Sequence, residues 1–382
     1  MPTRSIAFED SRWRGFLPLT HTRPLANLRV GATTTRGHLQ LLTGDDVEVW
    51  GRRQVVGGSQ AVGDSQLVDG EPVDLYLARG WWRRLPADRP RPWVGVADGE
   101  VAFIAADAAL AARLSPDALL DATAADRLLA GVPQHDVEDC VDLMEWWWQL
   151  LDANAAALAA LPPGLQVDPS AEVRDGAVLD TTDGPIHVAA GAIIHGAAYV
   201  QGPSVIGGGC AILPQAAIRA GSSIGPTCKV GGEVEGSILF GFSNKQHHGY
   251  LGHSVVGSWV NLGAGTTTSD LKSTYGTIST VAPGDPDHRV DTGRQFLGAV
   301  IGDHAKTAID TGISAGTAVG VCSAVFARTC PRTVGSFAWV TEAGVAPYEV
   351  DRAIEVARRV MARRDRLLDA SEERCLRDLG SI

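Results

Sequence analysis

The sequence predicts a chain with two unlike parts, an irregular α/β domain followed by a long solenoid built from six-residue repeats. Three observations lead to this prediction. The first 136 residues contain short apolar runs broken by Gly, Pro and Asp, as in mixed α/β domains. A following stretch has apolar residues at helical spacing and closes with "PPG", which breaks a helix. Beyond it, aliphatic residues recur at every sixth position.

Composition and charge exclude several classes of protein. The chain has 382 residues, is 45% hydrophobic and carries a net charge of −11. This charge argues against non-specific binding to nucleic acid or to anionic membranes. The chain has no run of about 18 apolar residues, and its first residues lack the apolar segment of a signal peptide. The six cysteines are scattered without a Cys-x-x-Cys pair, so we expect a reduced, cytoplasmic protein.

We predict four segments along the chain. Residues 1–136 form the α/β domain, and residues 137–163 form a helix that links it to the solenoid. Residues 164–346 form the solenoid itself. Residues 347–382 form a terminal helix with one apolar face, which we expect to pack against the solenoid as a cap.

The repeat is the strongest signal in the sequence. Aliphatic residues occupy every sixth position from Val188 to Val230 without a miss, and a small residue such as Ala198 precedes most of them by two positions. The spacing resumes at Val256 and again at Ile301. A period of six fits neither an α-helix nor a two-faced strand, but it fits a triangular solenoid in which each hexapeptide forms one flat face. With three hexapeptides per coil, we expect about five or six coils.

The repeat breaks at two places, residues 237–253 and residues 271–298. We expect both segments to be loops extruded from the solenoid wall, since such loops commonly carry binding groups. The first contains "FSNKQHHGYLGH", which holds three of the ten histidines. Because arginine supplies most of the positive charge, we interpret the few lysines as functional. All four lysines lie within 78 residues: Lys229, Lys245, Lys272 and Lys306.

The stretch "NKQHHGYLGHSVVGSWVNLGAGTTTSDLK", residues 244–272, carries a resemblance to a known family. It resembles the acetyltransferase half of the bifunctional N-acetylglucosamine-1-phosphate uridylyltransferase/glucosamine-1-phosphate acetyltransferases, particularly their archaeal-type sugar-1-phosphate branch. The family pattern is His-x-x-Tyr-[hydrophobic]-Gly-Asp, then Asn-[hydrophobic]-Gly-Ala-Gly-Thr, then Asn-Leu-Lys/Arg. The resemblance implies a left-handed parallel β-helix that transfers an acyl group from acetyl-CoA to an amino sugar.

The same resemblance implies roles for individual residues. His247 is the general base that takes a proton from the sugar amine, a role that suits a group titrating near neutral pH. Tyr250 and Asn261 match sugar-binding positions, Arg219 matches a phosphate-binding arginine, and Ala264 matches the small residue beside the thioester. The resemblance also implies a homotrimer with sites between subunits. The remaining expected site residues are Lys245, Asp270 and Lys272 for the substrate and Lys306 for the cofactor.

The sequence departs from the family pattern at three positions. The lysine expected twelve residues before His247 is Glu235, whose carboxylate would repel a sugar phosphate. The aspartate after Tyr-x-Gly is His253, and the asparagine before Leu-Lys is Asp270. These changes leave open whether the acceptor carries a phosphate or a nucleotide. We predict no metal ion at His247, His248 and His253, because their spacing does not match that of three-histidine zinc sites.

The N-terminal domain carries a second, weaker resemblance. Residues 17–30, "LPLTHTRPLANLRV", resemble the second half of the sugar nucleotidyltransferase signature LxxGxGxRxxPLTxxxPKPxxxV. The glycine loop that cradles phosphates is missing, and the expected lysine is Leu25 or Ala26. We therefore interpret residues 1–136 as a degenerate nucleotidyltransferase-like domain, and expect Mg²⁺ only if nucleotidyl transfer is retained. Three arginines remain candidates for phosphate contact: Arg14, Arg23 and Arg29.

Three functional hypotheses arise from these patterns. The first is an acetyl-CoA-dependent N-acyltransferase acting on an amino-sugar phosphate or a nucleotide amino sugar. The second is a sugar-1-phosphate nucleotidyltransferase, uridylyl or thymidylyl, with the solenoid as an assembly or regulatory domain. The third is a non-catalytic trimeric binding module. The set of His247, Tyr250 and Asn261 favours the first, the missing glycine loop opposes the second, and Glu235 leaves the third open.

Overall fold

The computed structural model describes residues 3–53, residue 55 and residues 71–381. In the N-terminal domain a six-stranded mixed sheet forms the framework, with helices packed on both faces. The first strand of the chain pairs in parallel with a neighbour on each side, which confirms the predicted α/β class. In sheet order the strands are Val47–Trp50, Arg4–Phe8, Val73–Leu77, Glu100–Ala106, Trp93–Ala97 and Gln134–Asp136.

Short helices with capped N-termini surround this sheet. Asp107, Ser115 and Asp121 each accept a backbone N–H bond at the start of a helix, which satisfies a donor that the helix leaves open. The α-helices are Thr35–Thr43, Ala108–Ala111, Pro116–Leu120 and Ala122–Leu129. Short 3₁₀-helices span Ser11–Phe16, Leu19–His21 and Leu25–Asn27. The two-residue strands Arg29–Val30 and Thr33–Thr34 pair antiparallel.

The linking segment differs from the predicted helix over 137–163. Val141–Leu143 is a strand that pairs antiparallel with Gly80–Trp82, and Trp147–Gln149 is a single 3₁₀ turn. The α-helix covers only Leu150–Ala159. The prediction was wrong in its first half because the apolar residues there bond and pack into the N-terminal domain instead of lining one helix face.

A parallel β-solenoid with three faces spans residues 165–341. Its first face is one sheet of nine strands: Leu165–Val167, Ile186–Val188, Ser204–Ile206, Ser222–Ile224, Ile238–Leu239, Val255–Val256, Val300–Ile301, Ala318–Val319 and Thr333–Val334. The second face holds Glu172–Val173, Ile193–Ile194, Ala211–Ile212, Lys229–Val230 and Asn244–Lys245, then Lys306–Thr307, Ala324–Val325, Ala338–Thr341 and Gly344–Pro347. The third face holds Val178–Asp180, Tyr199–Gln201, Ala217–Ile218, Glu233–Glu235 and Tyr250–Gly252, then Thr267–Thr268 and Gly312–Ile313.

The six-residue repeat does line the solenoid interior, as predicted. Aliphatic residues at that spacing, such as Ile194, Ile212 and Val230, are fully buried in a core of their own. The expected five or six coils were too few, because the first face alone has nine strands. The count fell short in part because the coil beginning at Leu165 lacks the complete aliphatic pattern, and in part because the coil at 237–253 was predicted as a loop.

The stretch 237–253 is a regular coil of the wall and not an extruded loop. Lys245 occupies an inward position in register with Val230. The prediction of a loop was wrong because the ladder is held by backbone hydrogen bonds, which persist when a polar side chain replaces an aliphatic one. Three strands pair in parallel with those of the preceding coil: Ile238–Leu239, Asn244–Lys245 and Tyr250–Gly252.

The second predicted loop, 271–298, does leave the wall, as expected. It contains an antiparallel hairpin of Ser279–Ala282 and Asp285–Asp291. Arg294 anchors the loop to the N-terminal part through an ion pair with Asp152, at 2.7 Å. The first face resumes directly after this excursion.

The C-terminal segment holds two helices where one was predicted for 347–382. The first covers Val350–Ala362 and the second covers Ala370–Gly380. The chain divides there because the Asp369 carboxylate caps a new helix at its N-terminus. Ile354 and Leu376 share a core with Val321 and Phe337 of the solenoid, so the helices pack on its last coils. Among the described helices, none is long and apolar enough to cross a membrane.

The N-terminal domain packs on the first face of the solenoid. Ile238, Val255 and Val300 share one hydrophobic core with residues of that domain, such as Phe16. Asn154 of the linking helix crosses the same junction, since its amide bonds both the Gly31 N–H and the Gly221 carbonyl. The two parts are therefore joined by an apolar interface with buried polar bonds inside it.

Candidate active site

His247 lies on a corner of the solenoid, between the second and third faces. The corner joins Asn244–Lys245 to Tyr250–Gly252, and the side chains of His247 and His248 are both exposed. An exposed imidazole on a rigid corner can reach a bound molecule without any rearrangement of the backbone. The structure places the proposed base on a fixed wall and not in a mobile loop.

The corner of the next coil stacks directly on the His247 corner. There the Gly265 N–H donates to the His248 carbonyl at 3.1 Å, and one coil further the Asp310 N–H donates to Ala264 at 2.7 Å. Gly265 has φ +74°, and a Cβ atom there would lie 2.2 Å from the Asp310 carboxylate. A side chain at Gly265 would displace the Asp310 carboxylate, so glycine here leaves a small-residue surface around Ala264, adjacent to the His247 corner.

Asn261 belongs to an outward row of polar residues on the second face. It bridges Asn244 on one side and Lys306 on the other, and its side chain is exposed. Lys306 is half-buried, burial lowers the pKa of its ammonium group, and this group donates to the His304 carbonyl at 2.9 Å. The row and the small-residue corner lie on the same two coils.

A cluster of hydrogen bonds occupies the third face beside this corner. The Tyr250 hydroxyl lies 2.9 Å from the Glu235 carboxylate and 2.8 Å from the Asp270 carboxylate. The other side of the cluster is an imidazole, because His253 Nδ1 lies 2.7 Å from Asp270. A phenol has a single proton and can donate to only one of the two carboxylates at a time. The Tyr250 hydroxyl can therefore turn its hydrogen bond from one carboxylate to the other while keeping its proton.

The protonation behaviour of the cluster follows from its contacts. Burial and the Asp270 and Glu235 carboxylates raise the pKa of Tyr250, so its hydroxyl stays protonated. Burial alone would raise the pKa of Asp270, but the hydrogen bonds from His253 and Tyr250 outweigh it and lower that pKa. Asp270 is thus an anion that holds the His253 ring in one orientation.

Arg219 is engaged by carboxylates on the same face. Its guanidinium forms an ion pair with Glu233 at 3.1 Å and approaches Glu235 at 4.0 Å. Because the side chains of Arg219 and Glu233 are both partly exposed, a ligand can still compete with Glu233 for the Arg219 guanidinium. A phosphate at Arg219 would have to displace Glu233.

Lys245 does not face the corner surface. The residue is 2% exposed, and its ammonium group donates to the carbonyls of Gly231 and His247 at 2.9 and 3.1 Å. Burial lowers the pKa of Lys245 to about 8. Its position beneath the corner suits a role in holding the backbone of His247, and not in binding an anionic substrate.

Lys272 lies at the start of the extruded loop. Its ammonium group donates to the Thr277 carbonyl of the same loop, and its side chain is half-buried. Within one chain it has no described contact with the His247 corner. The expectation that it serves a neighbouring subunit stays a prediction.

Sequence reasoning missed the contact between His253 and Asp270. Both were noted only as departures from a family pattern, 17 residues apart. Residues separated by one coil of about this length stack on one another, as Glu233 stacks on Tyr250. The coil spacing was therefore a signal that could have paired them.

Ion pairs occupy the C-terminal end of the strand Arg4–Phe8, where the nucleotidyltransferase signature would place its phosphate-binding loop. Glu9 is 1% exposed and accepts bonds from the Leu25 N–H at 2.7 Å and from Arg52. Asp10 pairs with Arg79 at 2.7 Å, and burial raises the pKa of that carboxyl group. Because these oxygens are already engaged, Glu9 and Asp10 do not fit a Mg²⁺ site.

Comparison with known proteins gives one family match. A family model described as "Sugar nucleotidyl transferase" matches residues 5–160. The N-terminal segment matches the sugar nucleotidyl transferase family. The match spans fewer than half of the 382 residues, and within it the usual phosphate cradle is replaced by the arginine–carboxylate pairs of Glu9 and Asp10.

Curated relatives match shorter stretches. The bifunctional sugar-1-phosphate nucleotidylyltransferase/acetyltransferase of Sulfurisphaera tokodaii is 33% identical over 94 residues, or 25% of this chain and 23% of the relative. The bifunctional protein GlmU of Bartonella quintana is 28% identical over 143 residues, or 35% of this chain and 32% of the relative. The chain thus spans no more than about a third of these relatives' lengths.

The comparison with solved structures gives matches that include two proteins whose printed descriptions mention nucleotide sugars. The UDP-N-acetylglucosamine acyltransferase of Francisella novicida has 15% identity and a TM-score of 0.23, covering 56% of this chain and 88% of its own. PerB of Caulobacter crescentus, solved with CoA and GDP-perosamine, has 12% identity and a TM-score of 0.19, covering 52% and 61%. TM-scores this low support no conclusion about shared architecture or activity.

Proposed function

We propose that the protein is an acetyl-CoA-dependent N-acyltransferase acting on an amino-sugar phosphate or a nucleotide amino sugar. One observation carries the proposal. The exposed His247 corner, the small-residue corner at Ala264 and the Tyr250–Asp270 pair lie on adjacent coils of one rigid wall. This arrangement offers a base, room for a thioester and hydrogen-bonding groups for a sugar within one short stretch of surface.

The reaction assigns a task to each part of this surface. The His247 imidazole takes a proton from the acceptor ammonium or from the attacking amine. The nitrogen then attacks the thioester carbonyl, backbone N–H groups of the coil stabilise the oxyanion, and CoA leaves as a thiolate that takes up a proton. Tyr250 and Asn261 bind sugar hydroxyls. Ala264 leaves space beside the thioester, and Lys306 contacts the cofactor.

The acceptor is the less defined partner. Arg219 would meet a phosphate, but it is already paired with Glu233 and lies close to Glu235. A phosphorylated acceptor must therefore compete with two carboxylates for one guanidinium. The panel of acceptors should include glucosamine 1-phosphate and nucleotide amino sugars, because the phosphate groups of these two classes differ in charge.

A second candidate function is nucleotidyl transfer by the N-terminal domain. The family match over residues 5–160 favours it. The engagement of Glu9 and Asp10 by arginines opposes it, since neither a phosphate cradle nor a Mg²⁺ site remains at that strand end. The third possibility, a binding module without turnover, is tested by the same experiment.

The test measures two products in parallel. The protein is incubated with acetyl-CoA and the acceptor panel while free CoA is followed with a thiol reagent, and with UTP or dTTP and sugar 1-phosphates while pyrophosphate is followed. We expect CoA release that depends on the acceptor. Pyrophosphate release without CoA release would replace the proposal with the second candidate, and the absence of both products would favour a binding module.

A further inference from the structure

A cavity of about 470 Å³ lies where the N-terminal domain meets the early coils of the solenoid. Arg29 and Ala32 line it from the N-terminal side, and the solenoid supplies the opposite wall. Its volume lies within the range of about 300–1,000 Å³ that small-molecule sites occupy. The solenoid wall includes Asp168, His187, Val188, Ala190, Val205 and Pro226.

Arg29 is a buried cation that forms no ion pair with any carboxylate of the described residues. The residue is 8% exposed, and its one described hydrogen bond is a long one, from Nη2 to the Ile224 carbonyl at 3.3 Å. Its Nε atom is buried without a hydrogen-bond partner. Among the described residues no carboxylate lies within 4.0 Å of it. A guanidinium stays protonated even when buried, so an uncompensated one is costly unless a ligand completes it.

A second unsatisfied group lines the same cavity. His187 Nε2 is buried without a hydrogen-bond partner. Burial lowers the pKa of His187, so the ring is neutral near pH 7 and has one N–H to donate. A guanidinium nitrogen and an imidazole nitrogen, each without a partner among the described residues, therefore come to one space from two domains.

The junction that holds this cavity is well fixed. Asn154 is 1% exposed and accepts from the Gly31 N–H at 2.9 Å, two residues beyond Arg29. The same side-chain oxygen accepts from the Ser223 hydroxyl at 2.6 Å, and its amide donates to Gly221 at 2.9 Å. The backbone that carries Arg29 is thus fixed against the solenoid before any ligand arrives, which lowers the entropic cost of binding.

We propose that the cavity binds a small organic molecule with a single oxyanion group, phosphate or carboxylate. Arg29 neutralises the anion and His187 donates a hydrogen bond to it, while Val205 and Pro226 contact the carbon skeleton. Only one cation is present, and the Asp168 carboxylate also lines the cavity, so a polyphosphate is excluded. The site is separate from the His247 corner and does not depend on the proposed acyl transfer.

The test is calorimetric titration of the full-length protein without acetyl-CoA. Glucose 6-phosphate, inorganic phosphate and glucuronate are the probes, and glucose is the neutral control. We expect saturable binding of one oxyanion probe per chain, weakened at least about tenfold in Arg29→Gln, since a hydrogen bond to a charged group is lost. The probe that binds best shows whether the site takes a phosphate or a carboxylate. Arg127→Gln removes an exposed charge from a helix that does not line the cavity and should bind like the wild type.

A second variant separates binding from folding. Ala190→Phe fills the cavity from its exposed edge while leaving Arg29 in place, and should abolish binding with little change in melting temperature. Loss of binding in both Arg29→Gln and Ala190→Phe supports the proposal. Binding of glucose as tight as that of the oxyanions, unchanged affinity in Arg29→Gln, or no saturable binding of any oxyanion by the wild type would overturn it.

Discussion

At the scale of single residues, two departures from a family pattern turn out to contact each other. His253 and Asp270 replace the Asp and Asn of that pattern and form a hydrogen bond of 2.7 Å. The pair then continues through Tyr250 to Glu235. One exchange at position 253 is thus matched by a second at position 270. The two changes are best treated as one alteration of the site.

This pairing predicts a rescue experiment. Asp270→Asn leaves His253 without its anion and should lower acceptor-dependent CoA release by about ten- to a hundredfold, as expected when a group that orients a neighbour is removed. The double variant His253→Asp/Asp270→Asn restores the family's own pair and should recover most of the rate. Asp291→Asn in the hairpin is the control. An unchanged rate in Asp270→Asn would show that the pair has no part in the reaction.

Lys245 predicts a pH dependence of stability. Burial lowers its pKa from 10.5 to about 8, so between these values the unfolded chain holds a proton that the folded chain has released. The free energy of unfolding of the wild type, measured against Lys245→Met, should therefore rise as the pH increases from about 8 to 10.5. Urea unfolding at several pH values measures this difference.

Lys229→Met provides the control for that series. Lys229 lies on the outward side of the same face, in register with Asn244, and is partly exposed. Lys229→Met removes an ammonium group that is not buried, so it shows the effect of losing a charge alone. A difference for Lys245→Met that does not change with pH would mean that the Lys245 ammonium is solvated.

At the scale of elements, the sequence predicted the features that depend on the six-residue repeat. It missed strands whose pairing cannot be recognised from the spacing of apolar residues. The inward aliphatic column follows directly from the six-residue period. The coil at 237–253 was missed because Lys245 replaces an aliphatic residue at an inward position, which hides a ladder that the backbone still forms. The strand Val141–Leu143 was missed because apolar spacing cannot show that Gly80–Trp82 is its partner.

The two C-terminal helices predict a matched pair of stability changes. Ile354 is fully buried against the last coils, and Ile354→Ala should lower the free energy of unfolding by about 2–4 kcal/mol. Leu367, between the helices, is 87% exposed, and Leu367→Ala should change little. Chemical denaturation of both variants measures the contrast. Equal effects would show that the helices do not cap the solenoid.

At the scale of the whole molecule, apolar side chains on the solenoid surface bear on assembly. Ile309 is 68% exposed and Phe326 is 48% exposed, on successive coils next to the Ala264 corner. Lys272 lies in the extruded loop and is expected to serve a neighbouring subunit. The resemblance of residues 244–272 implies a trimer, so we expect a mass by light scattering of three times the 40.2-kDa chain. A monomer at micromolar concentration would leave Lys272 without its expected role.

The N-terminal domain shows how far sequence reasoning carries at this scale. The α/β class was predicted, and the missing glycine loop indicated a degenerate phosphate site. The ion pairs that occupy this strand end became visible only in three dimensions, because Arg52 and Arg79 reach Glu9 and Asp10 from distant parts of the sequence. Such long-range ion pairs leave no local pattern in a sequence.

The central claim is that His247 is the base of an acyl transfer on the corner of the solenoid. The most direct test compares His247→Ala with His248→Ala, its exposed neighbour on the same corner, by acceptor-dependent CoA release. We expect His247→Ala to lose about 10²–10⁴-fold in rate, the usual contribution of a general base, and His248→Ala to stay near the wild type. Equal rates for His247→Ala and the wild type would contradict the claim.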